Sequence, residues 1–297
     1  MIFSYNAIFQ NHLTLAVFGC LWFTFIFMYL VKNNLARFSA FLVSLLLGIV
    51  VGHIEPIGFG LIALFGLLFY ISYQANNKWL RKGAFLIVLA GAIAIMLMPV
   101  PGMNNWHPIT RLYITDDAIP YSMHFTFDKS LIGLFFIWFS AYSLANEGHW
   151  KNVLKTGFLC GLVAVAILLP LSLGLGYVKF DPKFNRFFFL WALNNLFFVS
   201  IAEEALFRGM IMQSLMNLWQ NYRIGKWLAL IISASLFGLA HYKGGSKYML
   251  LAGVAGILYG YAYMRTRKVE ASVLTHFMVN SIHFVFFTYP ALASAFE

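Results

Sequence analysis

Five polar side chains in the last third of the chain could do chemistry together, and they come from three separate apolar segments. Two carboxylates stand side by side at Glu203 and Glu204, inside the run LFFVSIAEEALFRGMIM. His241 ends a second apolar run, and His276 and Asn280 lie four residues apart in a third. A carboxylate and an imidazole can serve as general bases, and paired hydrogen-bond donors can stabilise a developing oxyanion.

The spacing within the first segment separates the two carboxylates. Glu204 and Arg208 are four residues apart, so on a helix they share a face and can form an ion pair. Glu203 points about 100° away from that face. Charged groups at membrane depth cost about 3 kcal/mol or more on insertion scales, so they are rare and usually functional. We therefore expect Glu203 to be the carboxylate that faces a site.

The composition of the whole chain points to lipid as its solvent. Of the 297 residues, 61% are hydrophobic and only 10% are charged, whereas a soluble domain has about 25% charged residues. The net charge of +10 comes from Lys and Arg in short clusters between apolar runs, without a long basic tract. This pattern is typical of membrane topology signals and argues against a nucleic-acid partner.

We predict an all-α integral membrane protein with eight to ten transmembrane helices, because the apolar runs approach the length of about 20 residues that spans a bilayer. An N-terminal transmembrane scaffold is expected over residues 1–178 and a catalytic helical core over 187–289. The long loop Pro99–Ser130 is expected at an interface. The candidate spans are Leu13–Val31, Phe38–Gly52, Gly58–Tyr73, Ala84–Met98, Leu131–Leu144, Thr156–Val178, Phe187–Trp219, Trp227–His241, Lys247–Met264 and Ala271–Tyr289.

Basic residues favour one side of the membrane in this layout. With the amino terminus outside, the cytoplasmic side carries Lys32, Arg37, Lys78, Arg81, Lys82, Lys151, Lys155, Arg223, Lys226, Arg265, Arg267 and Lys268. The opposite side carries Arg111, Lys129, Lys179, Lys183, Arg186, Lys243 and Lys247. The bias follows the positive-inside rule. No basic stretch precedes the first apolar run, so we expect no cleaved signal sequence. We also expect a multi-pass protein of a bacterial cytoplasmic (inner) membrane.

The other acidic residues are expected outside the spans. Asp116, Asp117, Asp128, Glu147, Asp181, Glu270 and Glu297 are placed in loops or at the chain end, and Glu55 in a short connection.

The three polar segments are predicted to meet near the middle of the bilayer. At 1.5 Å per helical residue, Glu203 lies about 24 Å from Trp219, His241 about 22 Å from Lys226, and Asn280 about 18 Å from Lys268. Similar depths on three helices, in a hydrocarbon core of about 30 Å, predict one buried polar site.

The three segments resemble the CAAX-protease and bacteriocin-processing (CPBP, or Abi) family of intramembrane proteases. The family signature is Glu-Glu-x-x-x-Arg, Phe-x-x-x-His and His-x-x-x-Asn, and it is met in order by Glu203 to Arg208, Phe237 to His241, and His276 to Asn280. The resemblance covers roughly Phe187–Tyr289. It implies a catalytic set of Glu203, Glu204, His241, His276 and Asn280, with Arg208 and Phe237 supporting the site. In this set Glu203 and His241 activate a water, His276 and Asn280 form an oxyanion hole, and Glu204 holds the site together with Arg208.

The resemblance also implies a peptide or protein substrate in or at the lipid bilayer. Prenylated substrates belong to the eukaryotic branch of the family, and no residue here assigns the chain to that branch. No cofactor is favoured. Zinc is the alternative, with His241, His276 and Glu203 as acceptable ligand types, although the chain has no HExxH motif.

Other interpretations stay open at this point. The buried charges could form a structural ion-pair network, they could mark the pathway of a transporter, or the chain could be a non-catalytic scaffold or immunity-type protein. His283, seven residues after His276, could face the same cavity. Asn194 and Asn195 could line it or form hydrogen bonds between helices.

Overall fold

A computed structural model describes residues 11–143 and 150–296, and in these residues a helix coincides with every predicted apolar segment. Glu147 and Glu297 lie outside the described residues. The helices are α1 (His12–Leu30), α2 (Asn34–Val51), α3 (Pro56–Gln74), α4 (Lys78–Leu97), α5 (Phe127–Phe139), α6 (Trp150–Gly174), α7 (Phe188–Leu218), α8 (Gly225–Ala240), α9 (Gly245–Thr266) and α10 (Val269–Phe286). A 3₁₀ turn, Tyr242–Gly244, joins α8 to α9, and a second, Ala293–Phe296, follows α10.

Among the described residues, six helices are long and apolar enough to cross a membrane: α1 to α4, α6 and α7. Helix α8 is apolar but has 16 residues. The prediction of an all-α, multi-pass membrane protein is confirmed. The higher count of eight to ten spans stays a prediction, because it depends on the shorter or more polar helices.

Local signals explain where the N-terminal helices begin. The side chains of Asn33 and Asn77 accept hydrogen bonds from the first free backbone N–H groups of α2 and α4. Pro56 opens α3, at a position where the missing N–H has no cost. These caps separate four long apolar runs into four helices joined by short turns.

The loop Pro99–Ser130 contains a hairpin that the sequence analysis did not predict. Its strands are β1 (Trp106–Leu112) and β2 (Tyr121–Phe125), which form a two-stranded sheet. Trp106 packs against the rings of Phe18 and Phe125, at centroid distances of 6.0 and 5.1 Å. Strands of seven and five residues are too short to give a clear alternating pattern in the sequence.

The predicted loop positions of Asp128 and Glu270 are wrong. Asp128 lies in the first turn of α5 with no exposed surface, where its oxygens accept hydrogen bonds from the Val100 N–H and the Asn105 side chain. Glu270 lies in the first turn of α10 and is buried. Carboxylates stabilise helix N-termini, where free N–H groups concentrate, so both residues can lie in the first turn of a helix.

The chain divides into two compact units, which are described separately. The first comprises the described parts of residues 1–109 and 123–148, together with 197–202. Its core is aromatic: Phe18 packs against Phe125, Phe127 and Phe198 at centroid distances of 5.4 to 6.2 Å. Arg37 is buried and donates hydrogen bonds to the carbonyls of Met28 and Val31, at the end of α1.

The second unit comprises residues 110–122, the described part of 149–196, and the described part of 203–297. It therefore contains α6 and α8 to α10, with both ends of α7. Glycines allow its helices to approach closely: a Cβ on Gly157 would lie 2.8 Å from the Ala271 carbonyl oxygen, and one on Gly238 would lie 2.8 Å from that of Met249. Small residues at such contacts are typical of helix packing in membranes.

Candidate active site

Helix α7 is irregular around the paired carboxylates. A π-helical segment, Asn195–Ser200, precedes the α-helical turn Ile201–Glu204, and a second, Ala205–Met212, follows it. π-helical turns are rare and often occur at functional sites. The two carboxylates therefore lie between two local widenings of the helix, which the regular spacing assumed from the sequence did not include.

Glu204 is the centre of a sealed polar cluster. Its side chain has no exposed surface, and its Oε1 accepts hydrogen bonds from Arg208 Nη1 at 3.0 Å and from His276 Nδ1 at 2.9 Å. The predicted Glu204–Arg208 ion pair is confirmed. Its Oε2, like that of Glu203, has no hydrogen-bond partner among the described residues. Because Glu204 has no exposed surface and both its partners are protein groups, its geometry suits holding the site rather than contacting a substrate.

Arg208 ties the cluster to α9 and to an aromatic wall. Its Nη2 donates to the Gly256 carbonyl at 3.0 Å, and its Cζ lies 4.4 Å from the centroid of the Phe237 ring and 5.6 Å from that of Tyr259. Guanidinium groups stack favourably on aromatic faces, most strongly away from water. Phe237 therefore contacts the Arg208 guanidinium, and its role as a supporting residue stays a prediction.

The His276 ring is held by the Glu204 carboxylate at its edge and by the Tyr259 ring on its face. Nδ1 contacts the Glu204 carboxylate, and the Tyr259 ring stacks on the imidazole with centroids 4.6 Å apart and planes 17° apart. The Phe237 ring meets it edge-on at 5.9 Å. With Nδ1–H donating to the carboxylate, Nε2 is the nitrogen left for a ligand, and it carries a proton only in the imidazolium form.

His241 is oriented by the backbone of its own helix. Its Nδ1 lies 2.7 Å from the Phe237 carbonyl oxygen, and a carbonyl can only accept, so Nδ1 carries the proton. The neutral ring then has its lone pair on Nε2, which is the state of a general base. The ring also packs against Tyr248, with centroids 5.2 Å apart.

The Asn280 side chain donates a hydrogen bond to α7 and keeps a second N–H donor. Its Nδ2 donates one hydrogen bond to Asn195 Oδ1 at 3.2 Å, and a side-chain amide has two N–H donors. The second donor is available to a ligand. This contact also assigns Asn195 a hydrogen bond between helices, one of the two roles considered for it.

One cavity of about 90 Å³ brings His241, His276 and Asn280 together. His283 lines the same cavity, and its Nε2 lies 3.1 Å from the Thr288 carbonyl oxygen. The remaining wall is mostly apolar: Leu168, Leu169, Tyr177, Val178, Phe237, Tyr248, Leu251, Ala252, Ala255, Tyr259 and Val279, with Ser172. Three imidazoles and an amide thus share a small, largely apolar chamber, in which their hydrogen bonds are stronger than in water.

Glu203 lies beside this chamber rather than in its lining. It is half-buried, and its carboxylate interacts electrostatically with Tyr248 and Tyr259, which both line the cavity. Its Oε2 is shielded from solvent and accepts no hydrogen bond from the described residues. A buried carboxylate oxygen requires a donor, so Glu203 retains a lone pair for water or substrate.

No group of three or more His, Cys, Asp or Glu side chains in residues 11–143 and 150–296 has an arrangement that could hold a metal ion. The zinc alternative, with His241, His276 and Glu203 as ligands, stays a prediction.

Residues 185–282 match the family model of the Type II CAAX prenyl endopeptidase Rce1-like proteins. The similarity covers this part of the chain, and the matched segment holds all the site residues named from the three motifs. The resemblance seen in those motifs is therefore confirmed. No curated protein and no solved structure matches the chain.

Three supporting residues were missed from the sequence: Tyr248, Tyr259 and Gly256. All three lie on α9, an apolar helix whose aromatic and small residues look like ordinary packing. Tyr259 and Gly256 are three residues apart on one helical face, which places the ring that stacks on His276 beside the carbonyl that binds Arg208. That pairing is visible only once α9 is packed against α7 and α10.

Proposed function

We propose that this chain is an intramembrane endopeptidase that hydrolyses a peptide bond of a membrane-associated protein or peptide by a glutamate-dependent mechanism. The observation that carries the proposal is the shared cavity, where the free Nε2 of His241 faces the same space as His276 and Asn280. A base and two donors around one chamber at membrane depth are what acyl hydrolysis requires.

In the first step Glu203 and His241 activate a water molecule. The Glu203 carboxylate has an unpartnered oxygen, and neutral His241 has a lone pair on Nε2. The water oxygen forms a bond to the carbonyl carbon of the substrate while its proton passes to this pair. The carbonyl π electrons move onto the carbonyl oxygen, which becomes an oxyanion.

In the second step Asn280 and His276 stabilise that oxyanion. Asn280 donates its second Nδ2–H, and His276 donates Nε2–H as the imidazolium. The Glu204 carboxylate holds Nδ1 of His276, which fixes the ring and leaves Nε2 as the nitrogen for the oxyanion. Donors of this kind are worth about 3–4 kcal/mol of transition-state stabilisation when one is removed.

In the third step the tetrahedral intermediate collapses. The C–N bond breaks, the proton taken from water is delivered to the leaving nitrogen, and the products are a new carboxyl terminus and a new amine. Glu204, Arg208 and Phe237 touch no reacting atom in this scheme. They hold the imidazoles at fixed angles, and such preorganisation carries much of the catalytic effect.

The test compares membrane proteomes of cells that express the wild type, Glu203→Gln or Asn280→Ala. We expect one or more membrane proteins to accumulate uncut with both variants. Glu55→Gln is the matched control, because Glu55 is a carboxylate in a connection of the first unit, and it should cleave like the wild type.

Three results would count against the proposal. If the wild type and Glu203→Gln give identical proteomes, the chain is not an endopeptidase that depends on Glu203. Full function of Glu203→Gln in a cellular phenotype would favour a non-catalytic scaffold. Ion-coupled solute flux in proteoliposomes that depends on Glu203 would favour a transporter.

The proposed reaction uses no bound cofactor, since the base and the donors are protein groups. Incubation with EDTA should therefore leave cleavage by the purified protein unchanged, and loss of activity restored by zinc would contradict this. We place the enzyme in a bacterial cytoplasmic membrane, with the basic ends of α2 and α4 inside, on the support of the positive-inside rule.

A further inference from the structure

The first unit has a second cavity, remote in sequence from the three motifs. It is a groove of about 590 Å³ between α2, α3 and the end of α5. Its walls are apolar and aromatic, and several wall residues are exposed, including Leu35, Phe38, Leu67 and Tyr70. In a bilayer such a groove opens towards acyl chains.

The groove extends along the first two-thirds of α2 and along the middle of α3. On α2 its lining runs from Asn34 to Leu45, and on α3 from Tyr70 to Phe59, a length of about 16 Å on each helix at 1.5 Å per residue. One leaflet of a hydrocarbon core of about 30 Å is about 15 Å thick. The lined stretch of each helix is therefore about as long as one leaflet is thick.

The polar side chains of the groove gather at its mouth. Trp138 Nε1 donates to Asn34 Oδ1 at 3.3 Å, and Gln74 Nε2 donates to the Phe139 carbonyl at 3.0 Å. These contacts bring the start of α2, the end of α3 and the end of α5 to one level. The mouth is thus polar and the floor is apolar, as for one chain of a phospholipid.

The same end of the first unit is basic. Exposed cations lie in the connections and first turns at this level: Lys32, Lys78, Arg81 and Lys82. The ammonium groups of Lys78 and Lys82 both lie near the exposed Trp79 ring, at 5.6 and 5.5 Å. Among the described residues of this unit the acids, Glu55 and Asp128, begin helices at the opposite end.

We propose that this groove is a binding site for an anionic glycerophospholipid, with one acyl chain between α2, α3 and α5 and the phosphate headgroup at the basic end. The apolar lining, whose length is close to the thickness of one leaflet, fits one acyl chain of the lipid. The exposed cations select the charge of the headgroup, because basic residues near a membrane surface attract anionic lipids. An exposed indole at the same level suits the interface.

The test is native mass spectrometry of the full chain released from nanodiscs that contain equal amounts of phosphatidylglycerol and phosphatidylcholine. We expect wild-type protein to retain phosphatidylglycerol in preference. Lys78→Gln with Lys82→Gln should lower that preference about tenfold. The matched control, Lys151→Gln with Lys155→Gln on α6, should leave it unchanged.

A second pair of variants tests the chain-binding part. Ala63→Trp fills the groove, whereas Ala94→Trp adds the same ring to an exposed position of α4 outside it. Retained lipid should fall only with Ala63→Trp. If that variant does not fold, Phe38→Ala removes an exposed wall residue without adding bulk and should also weaken retention. Equal retention of both lipids by the wild type, or wild-type retention in both groove variants, would overturn the proposal.

Discussion

The adjacent carboxylates allow stability and activity to be separated by one pair of isosteric substitutions. In Glu204→Gln the new amide oxygen can still accept from Arg208 and His276, so the change removes charge while keeping shape. Arg208 is left fully buried without its counter-ion. Breaking a buried ion pair in this way costs about 3–5 kcal/mol, and at 2–4 °C per kcal/mol we expect Tm to fall by about 6–20 °C.

Glu203→Gln should behave in the opposite way. Glu203 has no ion pair among the described contacts, and one of its oxygens is shielded and unpartnered, so removing its charge should change Tm by less than about 2 °C while abolishing cleavage. Both variants can be compared with the wild type by thermal unfolding in nanodiscs and by cleavage in the same membranes. Equal Tm losses in the two variants, or an unchanged Tm in Glu204→Gln, would refute the division into a supporting and a reacting carboxylate.

Two further predictions concern the helices that pack around the site. Tyr259→Leu removes the ring stacked on His276 and should lower kcat at least about tenfold with little change in KM, whereas Tyr259→Phe keeps the ring and should retain most activity; equal losses would assign the role to the hydroxyl. Gly157→Ala forces a Cβ to 2.8 Å from a carbonyl of α10 and should cost about 1–3 kcal/mol, while Gly60→Ala, with no atom within 4 Å, should be neutral or stabilising in the same unfolding assay.

The helices and the composition of the site could be predicted from the sequence because both depend on local patterns. Runs of apolar residues define spans, and the i, i+4 spacing of Glu204 and Arg208 predicts their ion pair, which the structure confirms. The similar depth of the three motifs predicted that their helices meet. The contacts of His276 with Glu204 and of Asn280 with Asn195 join α10 to α7 in agreement with this.

The supporting contacts could not be predicted, because they depend on how helices rotate against one another. Nothing in the composition of α9 distinguishes Tyr259, whose ring covers His276, from the other tyrosines nearby. The π-helical segments of α7 change its rotation around the carboxylates, and periodicity alone gives no sign of them. Asp128 was misplaced because a carboxylate at a helix start and one in a loop have the same local sequence.

The most direct measurement of the central claim is the origin of the oxygen atom in the new carboxyl terminus. Membranes that contain the wild type or Glu203→Gln are incubated in H₂¹⁸O, and the fragments are analysed by mass spectrometry. Water activated beside Glu203 predicts ¹⁸O-labelled carboxyl termini that appear with the wild type and are missing with Glu203→Gln. The same labelled termini with both proteins, or none with the wild type, would contradict hydrolysis at this cavity.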